Sequence, residues 1–591
     1  MRLSSYKLVI LACCSAATAD FVNPAYPPPR DLSSKDSLVA AAWKNLTDTF
    51  DTFYTDPKAN ASAAAVLAGT ENVTFGFGMF SLLDSGAAAL QYHYTAPDVA
   101  AAPNGTNKVD GDSIYKIASV SKLITTFAGQ LKLSNEDWNR PVSEILTELN
   151  TNNRSDVIYD LQWDQITPWS FATHLSGIPP LGLVIGDLLY KDAISPPAQK
   201  INLGLPPLNP DILGPCVNSS DDFCSDGDFL TGERTQPPIF EAWTSPSYSD
   251  APFFLLGMII QKLVGTPIAQ IYNESIFEPL NMTSSSASIP FGEIDHAPIA
   301  DWTLWSLDGK LTIPSGGIWS SVNDLAKFGV GILNSTLLSP DRTRKWMKPV
   351  SHTASLTYSI GAPWEVIRYI HPTGKVTEIY GKLGDSGPFG GYIGIIPDYN
   401  AGFVMGNTAA EAFTERSPLA MTLLDQVAQN IIPALDAQAA EEAKKNFVGT
   451  YASTDENLNS SVTISFNEST VPGASDSLSL SSWISNGTDV LAAIIGSLGT
   501  PKPRLLPTKI DLKGGRIAFY ATAFNQSNMY LGSPFAQGPY SGFYSSNFDF
   551  AATGQELWGG RLLNEMVFGI DKDGKALFVT PSAARAKLVR R

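Results

Sequence analysis

The chain has few of the residues that support metal binding, disulfide frameworks or nucleic-acid binding. Its 591 residues include only four cysteines and five histidines. Lysines and arginines number 40 against 57 aspartates and glutamates, which gives a formal net charge of −17. Such an acidic chain is poorly suited to neutralise phosphates, so the composition argues against nucleic acids and anionic membranes as partners. The sequence predicts no metal site and no organic cofactor.

Long apolar runs are also missing beyond the N-terminus. The short apolar stretch Leu8 to Cys14 follows the basic residues Arg2 and Lys7, and the small residues 17–19 come after it. This order is typical of a signal peptide over residues 1–19, and no later apolar run of 18 or more residues predicts a membrane span. We therefore expect a secreted mature chain that begins at Asp20.

Two further features favour the secretory pathway. Removal of the signal peptide leaves only Cys216 and Cys224, a closely spaced pair that predicts one local disulfide, with two free buried thiols as the alternative. A dense set of N-x-S/T sequons predicts N-glycosylation. The sequons lie at Asn45, Asn60, Asn72, Asn104, Asn153, Asn218, Asn273, Asn281, Asn334, Asn459, Asn467, Asn486 and Asn525.

The length and the 44% apolar content predict two domains with substantial cores. The sequence predicts a helix over residues 37–54 and adjacent strands over residues 74–80 and 87–94. Residues 114–430 mix helical periodicity with short apolar runs, so we expect an α/β or α+β domain over residues 20–435. Within it, residues 180–246 are rich in Pro, Gly, Asn and Asp and carry both cysteines, so we expect a disulfide-tied surface insertion. Residues 436–591 show short β-type runs separated by turn residues, which predicts an all-β barrel or sandwich. The predicted strands are 462–466, 477–484, 516–523, 542–550 and 576–580.

The central chemical signal is Ser119-Val120-Ser121-Lys122, an S-x-x-K motif. On a helix, residues i and i+3 share one face, so the lysine amine lies within reach of the serine hydroxyl. The amine takes the hydroxyl proton only when it is neutral, so we expect burial and nearby positive charge around it. An apolar stripe of Leu123, Phe127 and Leu131 predicts the helix that the motif requires.

Two weaker signals follow downstream. Tyr248-Ser249-Asp250 precedes a strongly helical segment, and a tyrosine near a lysine can relay a proton to a leaving group. Lys382-Leu383-Gly384 precedes an apolar strand-like run, where the lysine adds positive charge and the glycine lets a substrate lie against the strand edge. The K-x-G pattern recurs at Lys513 and Lys572, so it carries weight only in combination with the other motifs.

In this order, S-x-x-K and a K-x-G element resemble the signature of the class C β-lactamases and penicillin-binding proteins. Three further stretches are similar to that superfamily, namely 166–179 with His174-Leu175-Ser176-Gly177, 248–283 and 315–326. The whole chain looks most like fungal secreted β-lactamase-like proteins with an additional C-terminal β-domain. The resemblance implies an antiparallel sheet flanked by helices and acyl transfer through a serine ester.

The resemblance also implies roles for single residues. Ser119 is the expected nucleophile, Lys122 its base and Tyr248 the acid for the leaving group. The backbone N–H groups of Ser119 and Asp385 are the expected oxyanion donors. Asp250, Lys382 and Gly384 are expected to line the substrate site.

Two positions depart from the family pattern. Asp250 stands where the family has an amide, and Leu383 stands where it has a hydroxyl residue. Both changes weaken the expectation of a β-lactam or D-Ala-D-Ala substrate, because polar contacts are lost at those points. An ester, amide or thioester with an apolar acyl part, as a small-molecule substrate, fits the sequence better.

Other interpretations remain open at this stage. Residues 384–388 resemble the trypsin-type loop around Ser386, but no histidine stands in the context that such an enzyme requires. The same acyl-enzyme also supports acyl transfer in secondary metabolism, as in a thioesterase-like enzyme. A catalytically silent binding protein on the same fold is the third hypothesis. His174 is interpreted as a structural residue that holds a turn.

Overall fold

The computed structural model describes residues 24–150, 156–180, 225–306, 310–372, 375–410, 415–467, 476–493, 503–511, 514–522 and 557–591. The predicted signal peptide, Cys216 and Cys224 therefore lie outside the described residues. So does a strand predicted from the sequence at residues 542–550.

The helices of the described residues are α1 (Leu38–Thr55), α2 (Ala61–Leu67), α3 (Pro97–Ala100), α4 (Ser121–Lys132), α5 (Asn135–Asn139), α6 (Val142–Ile145), α7 (Pro168–Ala172), α8 (Asp226–Glu233), α9 (Ala251–Val264), α10 (Ile268–Tyr272), α11 (Trp302–Trp305), α12 (Ile313–Gly316), α13 (Val322–Leu333), α14 (Pro340–Trp346) and α15 (Arg416–Phe447). The strands are β1 (Thr74–Ser81), β2 (Gln91–Tyr94), β3 (Tyr115–Lys116), β4 (Trp319–Ser320), β5 (Ser351–His352), β6 (Tyr358–Ile360), β7 (Glu365–Ile370), β8 (Val376–Ser386), β9 (Phe389–Ile396), β10 (Ala401–Thr408), β11 (Gly449–Ala452), β12 (Ser461–Asn467), β13 (Ser477–Ser485), β14 (Thr488–Asp489), β15 (Arg504–Asp511), β16 (Arg516–Thr522), β17 (Leu557–Trp558), β18 (Arg561–Leu562), β19 (Glu565–Ile570), β20 (Ala576–Pro581) and β21 (Leu588–Arg590).

Local sequence signals explain the long helices. The Ser37 side chain accepts the backbone N–H groups of Val39 and Ala40, which starts α1 one residue after the predicted beginning of this helix. Helix α9 agrees with the predicted helical run and ends at Gly265, whose φ of +76° is readily available to glycine. The helices predicted in these two segments are therefore confirmed.

The first sheet has eight antiparallel strands in the order β2-β1-β10-β9-β8-β7-β6-β5. Strands β1, β9 and β10 are buried along their whole length, because helices cover both faces of the sheet. A strand predicted from residue 87 begins only at Gln91, since residues 85–89 form a 3-10 turn that the Asp84 side chain caps. The sheet places β8, with Lys382, near its centre.

The second sheet confirms the predicted β-rich C-terminal region. Nine strands pair in the order β12-β11-β21-β20-β19-β16-β15-β13-β14, and β12 also pairs with β13. This additional pairing closes eight of the strands into a ring, so their edges are satisfied by one another. Inward-facing side chains such as Leu480, Phe519 and Phe568 fill its interior.

Helix α15 connects the two sheets. Its buried residues Leu423, Ile431 and Leu435 belong to a core that includes strand β1 of the first sheet and the interior of the second. The helix runs through residue 435, where the sequence predicts a domain boundary, so that boundary falls inside one continuous element. The division of the chain into domains at this residue stays a prediction.

The last part of the predicted surface insertion contributes two side chains to the core. Phe229 and Leu230 of α8 are buried in the main core, where Phe229 packs on Phe254 of α9. Among the described residues, no single helix has the length and apolar character to cross a membrane, and only the strongly bent pair 251–264 and 268–277 meets those criteria jointly.

Candidate active site

The nucleophile candidate lies on a short turn at the entrance of α4. Residues 118–120 form a 3-10 turn, and Ala118 adopts a φ of +46°, a conformation that costs energy for a residue with a side chain. The Ser121 hydroxyl donates to the Ala118 carbonyl at 2.7 Å and accepts the Ile318 N–H at 3.1 Å. These bonds hold Ser119 at a sharp bend just before the helix.

The S-x-x-K spacing brings the predicted pair together. The distance from Lys122 Nζ to Ser119 Oγ is 2.9 Å. The Lys122 side chain is fully excluded from solvent, and Nζ also lies 2.6 Å from Ser315 Oγ and 3.0 Å from the Ser315 carbonyl oxygen. The sequence assigned no role to Ser315, although the matching stretch 315–326 contains it.

The charge beside Lys122 differs from the expected one. We expected a nearby cation, but the closest charged group is the Asp250 carboxylate, at 2.5 Å from Nζ. Burial by itself raises the pKa of Asp250, yet the charge of Lys122 and hydrogen bonds from Lys122 and Ser315 outweigh it and hold that pKa below its usual value. Asp250 is therefore an anion at the position where the family pattern has an amide.

Tyr248 lies between the two lysines of the motifs. Lys122 Nζ is 5.0 Å and Lys382 Nζ is 5.1 Å from the centroid of its ring, and the side chain remains partly accessible to solvent. The ring stacks on His174 at 4.7 Å. Tyr248 thus stands at the open side of the buried Ser119–Lys122 pair.

His174 has the structural position expected for it. Its Nδ1 accepts the Ser249 N–H at 3.2 Å, which places the ring proton on Nε2. Burial, together with the cations Lys382 and Lys122, holds the pKa of His174 well below its usual value. The neutral ring therefore supports the turn that carries Tyr248 and Asp250.

Lys382 is buried and paired with a glutamate that belongs to no sequence motif. Its Nζ lies 2.5 Å from Oε1 of Glu365, and Oε2 of the same carboxylate accepts the Leu383 N–H at 2.8 Å. Burial by itself lowers the pKa of Lys382. The negative charge of Glu365, with smaller contributions from Tyr248 and Asp250, outweighs burial and raises this pKa above its usual value. Glu365 is 17 residues away along the chain, and only the pairing of β7 with β8 brings it here.

Gly384 lies against the nucleophile turn. A Cβ atom at this position would be 2.1 Å from the Ile117 carbonyl oxygen and 3.0 Å from the Ser119 nitrogen, so a larger residue does not fit. Gly384 therefore allows β8 to lie close to the turn that carries Ser119. The approach of a substrate to this strand stays a prediction.

The orientation of the Asp385 N–H follows from strand pairing. Strand β7 begins at Glu365, opposite Gly381, so β8 continues past the end of its neighbour. The Leu383 N–H points to that side, because Glu365 accepts it. N–H groups two residues apart on a strand point the same way, so the Asp385 N–H also faces the edge beside Ser119.

A buried arginine holds the end of β8 in place. The guanidinium of Arg416 is paired with the Asp385 carboxylate, which also accepts from the Ser417 hydroxyl, and it donates to the Gly387 carbonyl at 2.5 Å. Ser386, the alternative nucleophile, is the exposed last residue of β8, directly before the hairpin turn that leads to β9. No motif contained Arg416, which reaches this turn from the first residue of α15.

Comparisons with known proteins agree with this architecture. Residues 46–421 match the sequence profile of the beta-lactamase family, and residues 439–591 match a family described as "Beta-lactamase-like-like, C-terminal domain". A beta-lactamase-like protein of Arthroderma benhamiae is 32% identical over 368 residues, which cover 61% of this chain and 58% of that protein. The probable hydrolase clz13 of Cochliobolus lunatus is 25% identical over 512 residues, or 82% of this chain and 76% of that protein. A class C beta-lactamase of known structure aligns with a TM-score of 0.43 and 15% identity over 64% of this chain and 96% of its own.

Proposed function

Because this chain belongs to the beta-lactamase family and is a serine-hydrolase-type enzyme, we propose that it cleaves a small-molecule ester, amide or thioester through a covalent acyl-enzyme on Ser119. The 2.9 Å contact between Ser119 Oγ and the fully buried amine of Lys122 carries this proposal. A serine hydroxyl becomes a strong nucleophile when a base takes its proton during attack.

Lys122 Nζ is surrounded by hydrogen-bonding groups. Four oxygen atoms lie within hydrogen-bond distance of Nζ, from the Ser119 hydroxyl, the Asp250 carboxylate, and the hydroxyl and carbonyl of Ser315. The Ser315 hydroxyl donates its own proton to Asp250, so these groups accept from the amine, whereas the Ser119 hydroxyl has a proton to transfer. The arrangement therefore supports transfer of the Ser119 proton to Lys122.

The reaction then runs in two balanced stages. Ser119 Oγ bonds to the substrate carbonyl carbon as its proton moves to Lys122, and collapse of the tetrahedral intermediate breaks the bond to the leaving group. Tyr248 protonates that leaving group and regains a proton from Lys122. Water then bonds to the acyl carbon and passes a proton to Lys122 through Tyr248. Collapse of this second tetrahedral intermediate breaks the bond between the acyl carbon and Ser119 Oγ, which takes the proton from Lys122 and releases the carboxylic acid.

The negative oxygen of the tetrahedral intermediate needs donors beside Ser119. We assign this role to the backbone N–H groups of Ser119 and Asp385. The close approach of Gly384 to the Ser119 nitrogen and the direction of the Asp385 N–H support the assignment. A donor of this kind contributes about 10²- to 10³-fold in rate in other enzymes.

Labelling with a fluorophosphonate probe, read by intact mass, tests the nucleophile. We expect one adduct on the wild-type protein and on Ser386→Ala, and none on Ser119→Ala. Ser386→Ala is the matched control, because this exposed serine belongs to the alternative trypsin-type interpretation. Loss of labelling in Ser386→Ala alone contradicts the assignment of Ser119, and an unlabelled wild type contradicts the acyl-enzyme.

We also propose that the protein is exported and glycosylated, with residues 1–19 removed and Cys216 bonded to Cys224. The sequon asparagines of the described residues support the glycosylation, because all of them reach the surface. Exposed positions are Asn45, Asn60, Asn72, Asn104, Asn273, Asn281, Asn334, Asn459 and Asn486, and Asn467 is half-buried. The exported protein should start at Asp20, lose mass with an N-glycosidase and yield a Cys216–Cys224 peptide without reduction. Retention of residues 1–19 or an unchanged mass contradicts the proposal.

A further inference from the structure

Two buried ion pairs line the cleft beside Ser119. Lys122 pairs with Asp250 and Lys382 pairs with Glu365, each at 2.5 Å, and both lysine side chains are at most 1% exposed. The two amines lie at nearly equal distances from the Tyr248 ring. Each of these two amines therefore already contacts a carboxylate of the protein.

Glu365 occupies two groups that would otherwise bind an anion. One of its carboxylate oxygens contacts the Lys382 amine, and the other accepts the Leu383 N–H. The Lys382 amine also donates to the Leu383 carbonyl at 2.7 Å. Because Glu365 is the first residue of β7, its carboxylate lies at the point where the unpaired edge of β8 begins.

A carboxylate on the substrate meets an unfavourable environment here. To reach Lys382 it has to displace a carboxylate that already holds two hydrogen bonds in a position sheltered from solvent. On the other side it faces the Asp250 carboxylate, which is ionised. Like charges in a desolvated site are a strong means of rejecting a ligand.

We infer that Glu365 is a specificity-determining residue that reserves the cleft for substrates without a carboxylate near the scissile carbonyl. The inference rests on the proposed function of Ser119 and narrows its substrate class to uncharged esters, amides or thioesters. Glu365 acts by occupying Lys382 and the Leu383 N–H, and it takes no part in bond making or breaking.

The first test uses the wild-type protein and two matched esters, para-nitrophenyl butyrate and mono-para-nitrophenyl glutarate. The two acyl chains differ mainly by a terminal carboxylate. We expect kcat/KM for the neutral ester to exceed that for the anionic ester by about tenfold or more. Equal turnover of the two esters overturns the inference.

The second test uses Glu365→Gln, which keeps the size of the side chain and leaves the Lys382 charge uncompensated. We expect the preference for the neutral ester to fall by about 10- to 100-fold, the factor of one hydrogen bond to a charged group. Glu378→Gln is the matched control, because Glu378 lies on β8 and pairs with Arg368 away from Ser119. An unchanged preference in Glu365→Gln, or an equal change in Glu378→Gln, overturns the inference.

Fluorophosphonate labelling separates the two levels of failure. A labelled wild type with no response to Glu365→Gln contradicts only the role of Glu365, whereas an unlabelled wild type contradicts the proposed function itself. If Glu365→Gln does not fold, Glu365→Asp replaces it, since the shorter carboxylate keeps the charge but cannot span both Lys382 and Leu383. This variant should show a smaller loss of preference, and no loss counts against the inference.

Discussion

The variant Asp250→Asn tests how the carboxylate beside Lys122, the proposed base, sets the pH range of activity. Asn keeps the size of Asp250 and still offers an oxygen to Lys122 and Ser315, so the change mainly removes one negative charge at 2.5 Å from Nζ. An anion at this distance stabilises a neighbouring ammonium ion and delays its deprotonation as pH rises. Its removal should therefore move the rising limb of the pH profile of kcat/KM to lower pH.

The size of this shift follows from the geometry. An opposite charge within hydrogen-bond distance displaces a titration by about 1 to 3 pH units in proteins, and the full burial of Lys122 reduces solvent screening. The assay is kcat/KM for a neutral chromogenic ester across the stable pH range of each variant. Asp436→Asn is the matched control, because Asp436 pairs with the buried Lys375 at similar exposure, and this ion pair joins α15 to the first sheet. A limb that stays in place in Asp250→Asn, or moves to higher pH, refutes the reasoning that Lys122 acts as a neutral base under the influence of Asp250.

Three further predictions concern the support of the site and the stability of the fold. Gly384→Ala adds a methyl group that clashes with the Ile117 carbonyl oxygen, so labelling of Ser119 should slow by about 10²-fold or more. The control Gly292→Ala adds its methyl group in open space and should label normally. Arg416→Lys loses the fork that holds the Asp385 carboxylate and the following turn, so kcat should fall by about tenfold with KM nearly unchanged, and an unchanged kcat argues against the positioning role. Burial lowers the pKa of His371 from 6.5 to about 4. Between these two pH values the unfolded protein binds a proton at His371 that the folded protein does not bind, so the free energy of unfolding falls as pH falls through this window. In urea unfolding, His371→Gln should therefore lose less stability than the wild type on acidification, by up to about 1.4 kcal/mol per pH unit, and parallel curves contradict this.

The elements predicted correctly from the sequence depend on short-range patterns. Helix α1 follows from an N-cap serine and from apolar residues at helical spacing. Both signals lie within one short segment of the chain. The contact between Ser119 and Lys122 is local in the same way, because side chains three positions apart on one turn lie on the same face whatever surrounds them. The same reasoning gave the wrong start for β2, because the Asp84 side chain stabilises a competing turn over residues 85–89.

The charge distribution of the site was less predictable. The sequence suggested a cation beside Lys122, whereas the structure places the Asp250 carboxylate there. The sequence did show that Asp250 departs from the family pattern. Glu365 and Arg416 carry no motif, since each approaches its partner across a strand pair or from a distant helix. No short-range spacing in the sequence links these residues to their partners.

The sequence alone determined the family, the order of the α/β and β-rich regions, and the local contact between Ser119 and Lys122. These depend on residue type and near-neighbour spacing, which the linear chain contains in full. Only the tertiary structure decided which charges face one another in the cleft, which N–H groups stay available at the end of β8, and how the second sheet closes. Ion pairs and strand edges form between segments that are distant in sequence, so their partners are chosen by packing and pairing.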